Sequence, residues 1–200
     1  MPAPSAAVAP TDHATAPARP RPAQDGALPQ TSASPSANSS VLDRESAALW
    51  DAVRTGDAGR ALPAFFPVAA YVQVKTVARP AADWRTRLFG RFALDVAAAH
   101  RLLGAEASTA QLLRVTIPSS AARWIPPGAC ANRVGYWHVG GARLVYRSAD
   151  QVRSFGIASL ISWRGRWYVV HLGAVRPRTA GGIVDRPALG PGTVGPTGGC

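Results

Sequence analysis

Few side chains in this 200-residue chain could do chemistry near neutral pH. Three imidazoles, His100, His138 and His171, lie in patterned stretches, and an imidazole carries or releases a proton between pH 5 and 8. Cys130 and Cys200 are the two cysteines. A metal site needs more ligands than these, and no His stands at a spacing that completes one, so neither metal nor cofactor is expected. A thiol nucleophile needs a base held against it. The reading that fits the pair is a Cys130–Cys200 disulfide in an oxidising compartment, pinning a Gly/Pro-rich tail to the domain. Closing so long a loop is worth roughly 4 kcal/mol in the chain-entropy account. Two thiols in a reducing cytoplasm are the alternative.

The elements that must position these groups can be read from periodicity. Asp83 is placed to cap a helix over Trp84–Leu103, with Gly104 closing it. Phe89, Phe92, Val96, Ala99 and Leu103 fall on one face at helical spacing, His100 lies within that face and Asp95 on its flank. A lone His on an apolar face is more often a core residue with one hydrogen bond than a pocket residue. His138 and His171 belong to Val134–Gly173, which reads as four antiparallel strands. Gly140-Gly141 predicts a two-residue hairpin turn. Trp137, Val139, Ala142, Leu144 and Tyr146 then share one face, and Tyr136, His138, Arg143, Val145 and Arg147 meet solvent on the other. Gln151–Trp163 is the third strand and Arg166–Leu172 the fourth. A two-residue loop sets Ser162 against Trp167 and a three-residue loop sets Trp163 there, so the face of His171 stays open.

Residues 1–40 are Ala, Pro, Ser and Thr without periodicity and predict a disordered linker. Ser40-Val41-Leu42-Asp43 fits a capping box for a helix to about Arg54, with Leu42, Leu49, Trp50 and Val53 as its apolar stripe. Gly56-Asp57 breaks it. A short helix, Ala58–Phe66, and a strand, Ala70–Val77, follow. Ala110–Ile117 is a further strand, and 118–131 an irregular loop. The domain is therefore 41–173, and 174–200 is a Gly/Pro-rich tail without regular structure. The formal charge of +11 comes from 22 basic residues against 11 acids, and Lys75 is the one lysine. The arginines are scattered rather than striped, so nucleic-acid binding is not expected. No run of 18 apolar residues predicts a membrane span. The Ala/Pro/Gly/Arg bias suggests high-GC, actinobacterial coding.

This order of elements resembles the nuclear transport factor 2-like superfamily. It is a capped helix, a Gly-Asp break, Phe65-Phe66-Pro67, a long helix, then strands ending in Gly165-Arg166-Trp167-Tyr168-Val169-Val170-His171. The resemblance covers about residues 41–173. It implies an α+β fold, with helices packed on a curved antiparallel sheet of about five to six strands, and often a sheet-to-sheet homodimer. It further implies a cone-shaped pocket lined by acids, His or Tyr. Between Ala110 and Gly173 the single acid is Asp150, in a turn, so the pocket candidates are His100, His171, Tyr168 and Ser159. Ser162 lies on the opposite face from Ser159. Without a carboxylate base, the reading is a non-catalytic exported or envelope-associated domain binding a protein partner or an apolar small ligand. The alternatives are a subunit of an envelope or secretion assembly, or an isomerase, dehydratase or cyclase using His100 or His171 as base. A cytoplasmic location is the alternative to an extracytoplasmic one.

Overall fold

The computed structural model describes residues 26–173 and 181–194. The fold is α+β, with helices first and a six-stranded antiparallel sheet after them. Helix α1 (Ser40–Thr55) is capped by Ser39, whose side chain accepts from the Leu42 N–H, one residue ahead of the expected cap. Its C-terminus closes on Gly56 at φ +74°, and Leu42, Leu49, Trp50 and Val53 are buried as the spacing predicts. Asp57 caps a single 3-10 turn, Ala58–Ala61, shorter than the expected helix.

Val68–Val74 is a helix, α2, where alternation predicted a strand. Ala70, Tyr71 and Val74 are its buried residues. That i, i+1, i+4 set is a helical face, and a helix satisfies its backbone locally whereas a strand would need a ladder partner. The long helix begins at Pro80 rather than at an Asp83 cap. It runs from α3 (Pro80–Asp83) through a π-helical turn, Trp84–Phe89, into α4 (Gly90–Leu103). Pro at the first helical position explains the earlier start. Gly104 ends it, as expected.

The strands are β1 (Gln111–Thr116), β2 (Arg123–Ile125), β3 (Tyr136–Ser148), β4 (Gln151–Trp163), β5 (Arg166–His171) and β6 (Asp185–Leu189). The sheet order is β1-β3-β4-β5, with β2 on the other end of β3's free edge and β6 beside β4. The expected hairpin at Gly140-Gly141 does not form. β3 runs straight through both glycines, in one unbroken register with β4 from His138↔Ile161 to Ser148↔Gln151. Two strands of 13 residues satisfy far more ladder bonds together than a short hairpin would. Gly141 keeps a positive φ, +71°, without reversing the chain. Consequently Tyr136 and His138 share a face with Ala142, Leu144 and Tyr146. The β4–β5 turn has two residues, and Ser162 stands against Trp167. A register shift after Ser159 sets His171 opposite it.

Two segments read as irregular are built into the domain. Residues 26–39 lie along the β4–β5 turn rather than forming a free linker. Gln30 donates to the Ser162 carbonyl at 3.0 Å and accepts from the Arg164 N–H at 2.7 Å. The Trp137 indole donates to the Ser32 carbonyl at 3.1 Å. β6 lies in the expected tail, pairing with β4 at Arg153, Ser154 and Gly156. Gly156 makes room for it, since a Cβ there would stand 2.8 Å from the Asp185 carbonyl. Asp95, fully buried, accepts from the Gly173 N–H at 2.9 Å and the Ile183 N–H at 3.2 Å, so one carboxylate fastens the chain on both sides of 174–180. The rest of the linker and tail, including Cys200, falls outside the described residues.

Candidate functional site

A cavity of about 530 Å3 opens between α2, the π-helical turn and the end of the sheet where β3 begins and β4 ends. That volume falls in the range of small-molecule pockets, about 300–1,000 Å3. Tyr136 and His138 enter from β3, Ser159 and Ile161 from β4, and Val170 and His171 from β5. Tyr71, Val74 and Lys75 face them from α2, and Arg87 and Leu88 from the π-helical turn. Arg123 and Ile125 of β2 complete the wall, with Phe66 and Cys130. A π turn adds one residue to the helical repeat and so redirects side chains, here bringing Arg87 and Leu88 to the cavity.

The polar groups are tied to one another. His138 Nε2 and Ser159 Oγ are 2.9 Å apart. Burial holds the His138 pKa below its ordinary value, so the ring is neutral at neutral pH. The Tyr136 hydroxyl accepts from Asn132 at 3.0 Å, and burial raises its pKa. Asp83 accepts from Arg87 at 2.8 and 2.7 Å, and the Tyr71 hydroxyl bridges the two, donating to Asp83 and accepting from Arg87 at 2.6 Å. The hydrogen bond from Arg87 holds Asp83 below the usual carboxylate range. Burial, then the bond to Asp83, raises Tyr71. Lys75 Nζ donates to the Cys130 carbonyl at 2.9 Å, and burial, helped by nearby Arg87, lowers the ammonium's pKa.

Of the residues singled out by sequence, Ser159 and His171 reach the cavity and His100 and Tyr168 do not. His100 sits between helices, with Nδ1 3.1 Å from the Val53 carbonyl and its ring against Gly56, the core arrangement expected of a lone His on an apolar face. Tyr168 is buried with its ring edge-on to Phe66. Ser162 faces away and accepts from the Trp137 N–H at 2.9 Å. Tyr136 and His138 are cavity residues rather than solvent-facing ones, because β3 does not turn at the glycines. Arg143 is also buried, donating to Ser154 at 2.8 Å on the opposite face. Lys75, Arg87 and Arg123 had no motif to mark them, and the π turn that presents Arg87 has no sequence signature.

Cys130 is not a free thiol. Among the described residues no cluster of His, Cys, Asp or Glu could hold a metal ion, and no helix is long and apolar enough to cross a membrane. Comparison with known proteins finds no matching family model, curated protein or solved structure.

Proposed function

We propose that this chain is a non-catalytic binding domain that houses an apolar small ligand between its helices and its sheet. The observation that carries the reading is the cavity itself. It is large enough for such a ligand, and Phe66, Val74, Leu88, Ile161 and Val170 give it apolar walls. No carboxylate lines it among the described residues. The half-buried His138 is bound to Ser159, without the acid that would raise its basicity. The element order suits a member of the nuclear transport factor 2-like superfamily. An exported or envelope location agrees with a Cys130–Cys200 bridge, for which the engaged state of Cys130 is the support.

A second reading keeps a specific observation in its favour. His138 and Ser159 at 2.9 Å, with His171 opposite Ser159 on β5, put two imidazoles and a hydroxyl at one end of the cavity. An isomerase or dehydratase acting on a small hydrophobic substrate would use one of these imidazoles as its base, and His100 would have no part in it.

Native mass spectrometry of the purified protein, followed by denaturation without reductant, tests the first reading. The expected result is a discrete small molecule lost on denaturation, or one-to-one uptake of N-phenyl-1-naphthylamine by the empty protein. The denatured spectrum also reports the mass deficit of the proposed bridge. A clean protein that takes up no dye overturns the reading.

A further inference from the structure

The charge around the cavity is of one sign. Lys75, Arg87 and Arg123 line it, and no Asp or Glu does among the described residues. Arg87 is neutralised by its two bonds to Asp83, which stands behind it. Lys75 has no comparable partner. One of its three donors goes to the Cys130 carbonyl, a neutral acceptor, and no ion pair among the described residues includes it. Arg123 likewise enters no ion pair among them. Lys75 is half-buried, and burial first, then the neighbouring Arg87 guanidinium, disfavours its charged form, against a smaller opposing pull from Asp83. An ammonium held in such a place with donors to spare is a group waiting for an acceptor that carries negative charge.

The apolar lining lies beside this basic group rather than around it. Val74 ends α2 and Lys75 caps it, and Leu88 follows Arg87 on the π turn. Ile161 and Val170 face them from the sheet.

We propose that the ligand is a small amphipathic anion, with its apolar body against Val74, Leu88, Ile161 and Val170 and an oxyanion head held by Lys75 and Arg123. The inference rests on the cavity being a ligand site and adds the chemical class. Its head is a carboxylate, sulfonate or phosphate monoester, since each offers an anionic oxygen to an ammonium and a guanidinium. A neutral ligand of the same shape would bury the Lys75 donors without satisfying them.

A matched pair of fluorescent probes separates the two claims. 8-Anilinonaphthalene-1-sulfonate and N-phenyl-1-naphthylamine share one aromatic frame and differ by the sulfonate. Both are titrated into the full chain and into K75M and R123Q, whose folding is checked by near-ultraviolet circular dichroism. The sulfonate should bind roughly tenfold tighter than the neutral probe, the size of one charge-assisted hydrogen bond. K75M should cut that preference severalfold and R123Q, at an exposed guanidinium, by less, with the sulfonate losing more affinity than the neutral probe in each. A preference unchanged in both variants overturns the assignment of the head to these two residues. Added salt should weaken the sulfonate selectively. Octanoate and octyl phosphate, run as competitors against 1-octanol, identify the preferred head and keep the test open should K75M fail to fold. Equal affinity for both probes in the wild type, or displacement by octanol as readily as by the two anions, overturns the anion while leaving the cavity a ligand site. Absence of saturable binding by either probe overturns both.

Discussion

β3 and β4 lie side by side along their whole length, yet their two ends are built differently. Toward Ser148 and Gln151 the shared face is solid. Leu144 stands opposite Phe155, and the Tyr146 ring packs at a tilt against Trp50 of α1 at 5.3 Å and Phe155 at 6.0 Å. Toward Tyr136 and Trp163 the face is hollow. His138 stands opposite Ile161 and Gly140 opposite Ser159, with α2 and the π turn spanning the gap. The backbone pairing is the same at both ends, so the cavity comes from side chains. Where Leu, Tyr and Phe fill one end to core density, Gly and Ser stop short at the other. The polar groups there bond to one another rather than to the core. One sheet thus supplies both the stability and the site.

The largest effect that would break this contrast is at the solid end. Phe155→Ala should cost about 3–5 kcal/mol in urea unfolding, as a large buried ring with no room to collapse. Ser159→Ala, four positions along at the hollow end, should cost roughly 1 kcal/mol or less, the worth of its bond to His138. Equal costs would mean that the hollow end is packed as tightly as the other.

A smaller effect is expected at the polar frame above the hollow. Asp83→Asn weakens the hold on Arg87 and Tyr71 and should cost about 1 kcal/mol at neutral pH, modest because the Arg87 guanidinium is partly solvated. The folded-state pKa of Asp83 lies below its ordinary 3.8, so its stabilisation is complete above that value and is lost as pH falls through the lower, folded one. Urea midpoints of wild type and D83N should therefore differ at pH 7 and draw together as pH falls below 3.8. A gap that widens in acid would contradict the assignment.

The smallest effect belongs to His138. Burial depresses its pKa below 6.5, so the unfolded chain takes up the proton first as pH falls. Stability should be full above pH 6.5 and decline below it, by up to about 1 kcal/mol between pH 7 and 5.5. His138→Gln should flatten that part of the profile. An unchanged slope in H138Q would place the titrating group elsewhere.

Much of the fold could be read from local signals and much of the site could not, for a physical reason. The stripe of α1, the Gly56 and Gly104 caps and the Arg164-Gly165 turn are fixed by residues close in sequence, and the structure has them where they were expected. Gly140-Gly141 obeys the local rule for a turn, but pairing with a strand of equal length prevails, and that pairing alone decides that His138 faces inward. Ala70–Val77 alternates like a strand, yet among the described residues only Lys75 finds a bridge partner, Asn132, and Tyr71 and Val74 bury as a helical pair. Asp95 seemed a flank residue because the backbone donors it accepts from, Gly173 and Ile183, are about 80–90 positions away. Ser159 and His171 were candidates through the family resemblance, and only the pairing of β4 with β5 in the folded chain brings both to the cavity. Lys75, Arg87 and Arg123 come from three separate elements that meet only in the folded chain.

The account's central claim is that the hollow end of the sheet, and no other face, takes a ligand. Amide chemical-shift mapping during titration with N-phenyl-1-naphthylamine tests it most directly. The account predicts shifts concentrated at Tyr136–Gly140, Ser159–Ile161, Val170–His171 and Val74–Lys75, with Leu144–Ser148 and Gln151–Phe155 unmoved. Shifts confined to exposed positions such as Leu62, Leu102 and Leu189, with the cavity residues still, would contradict it.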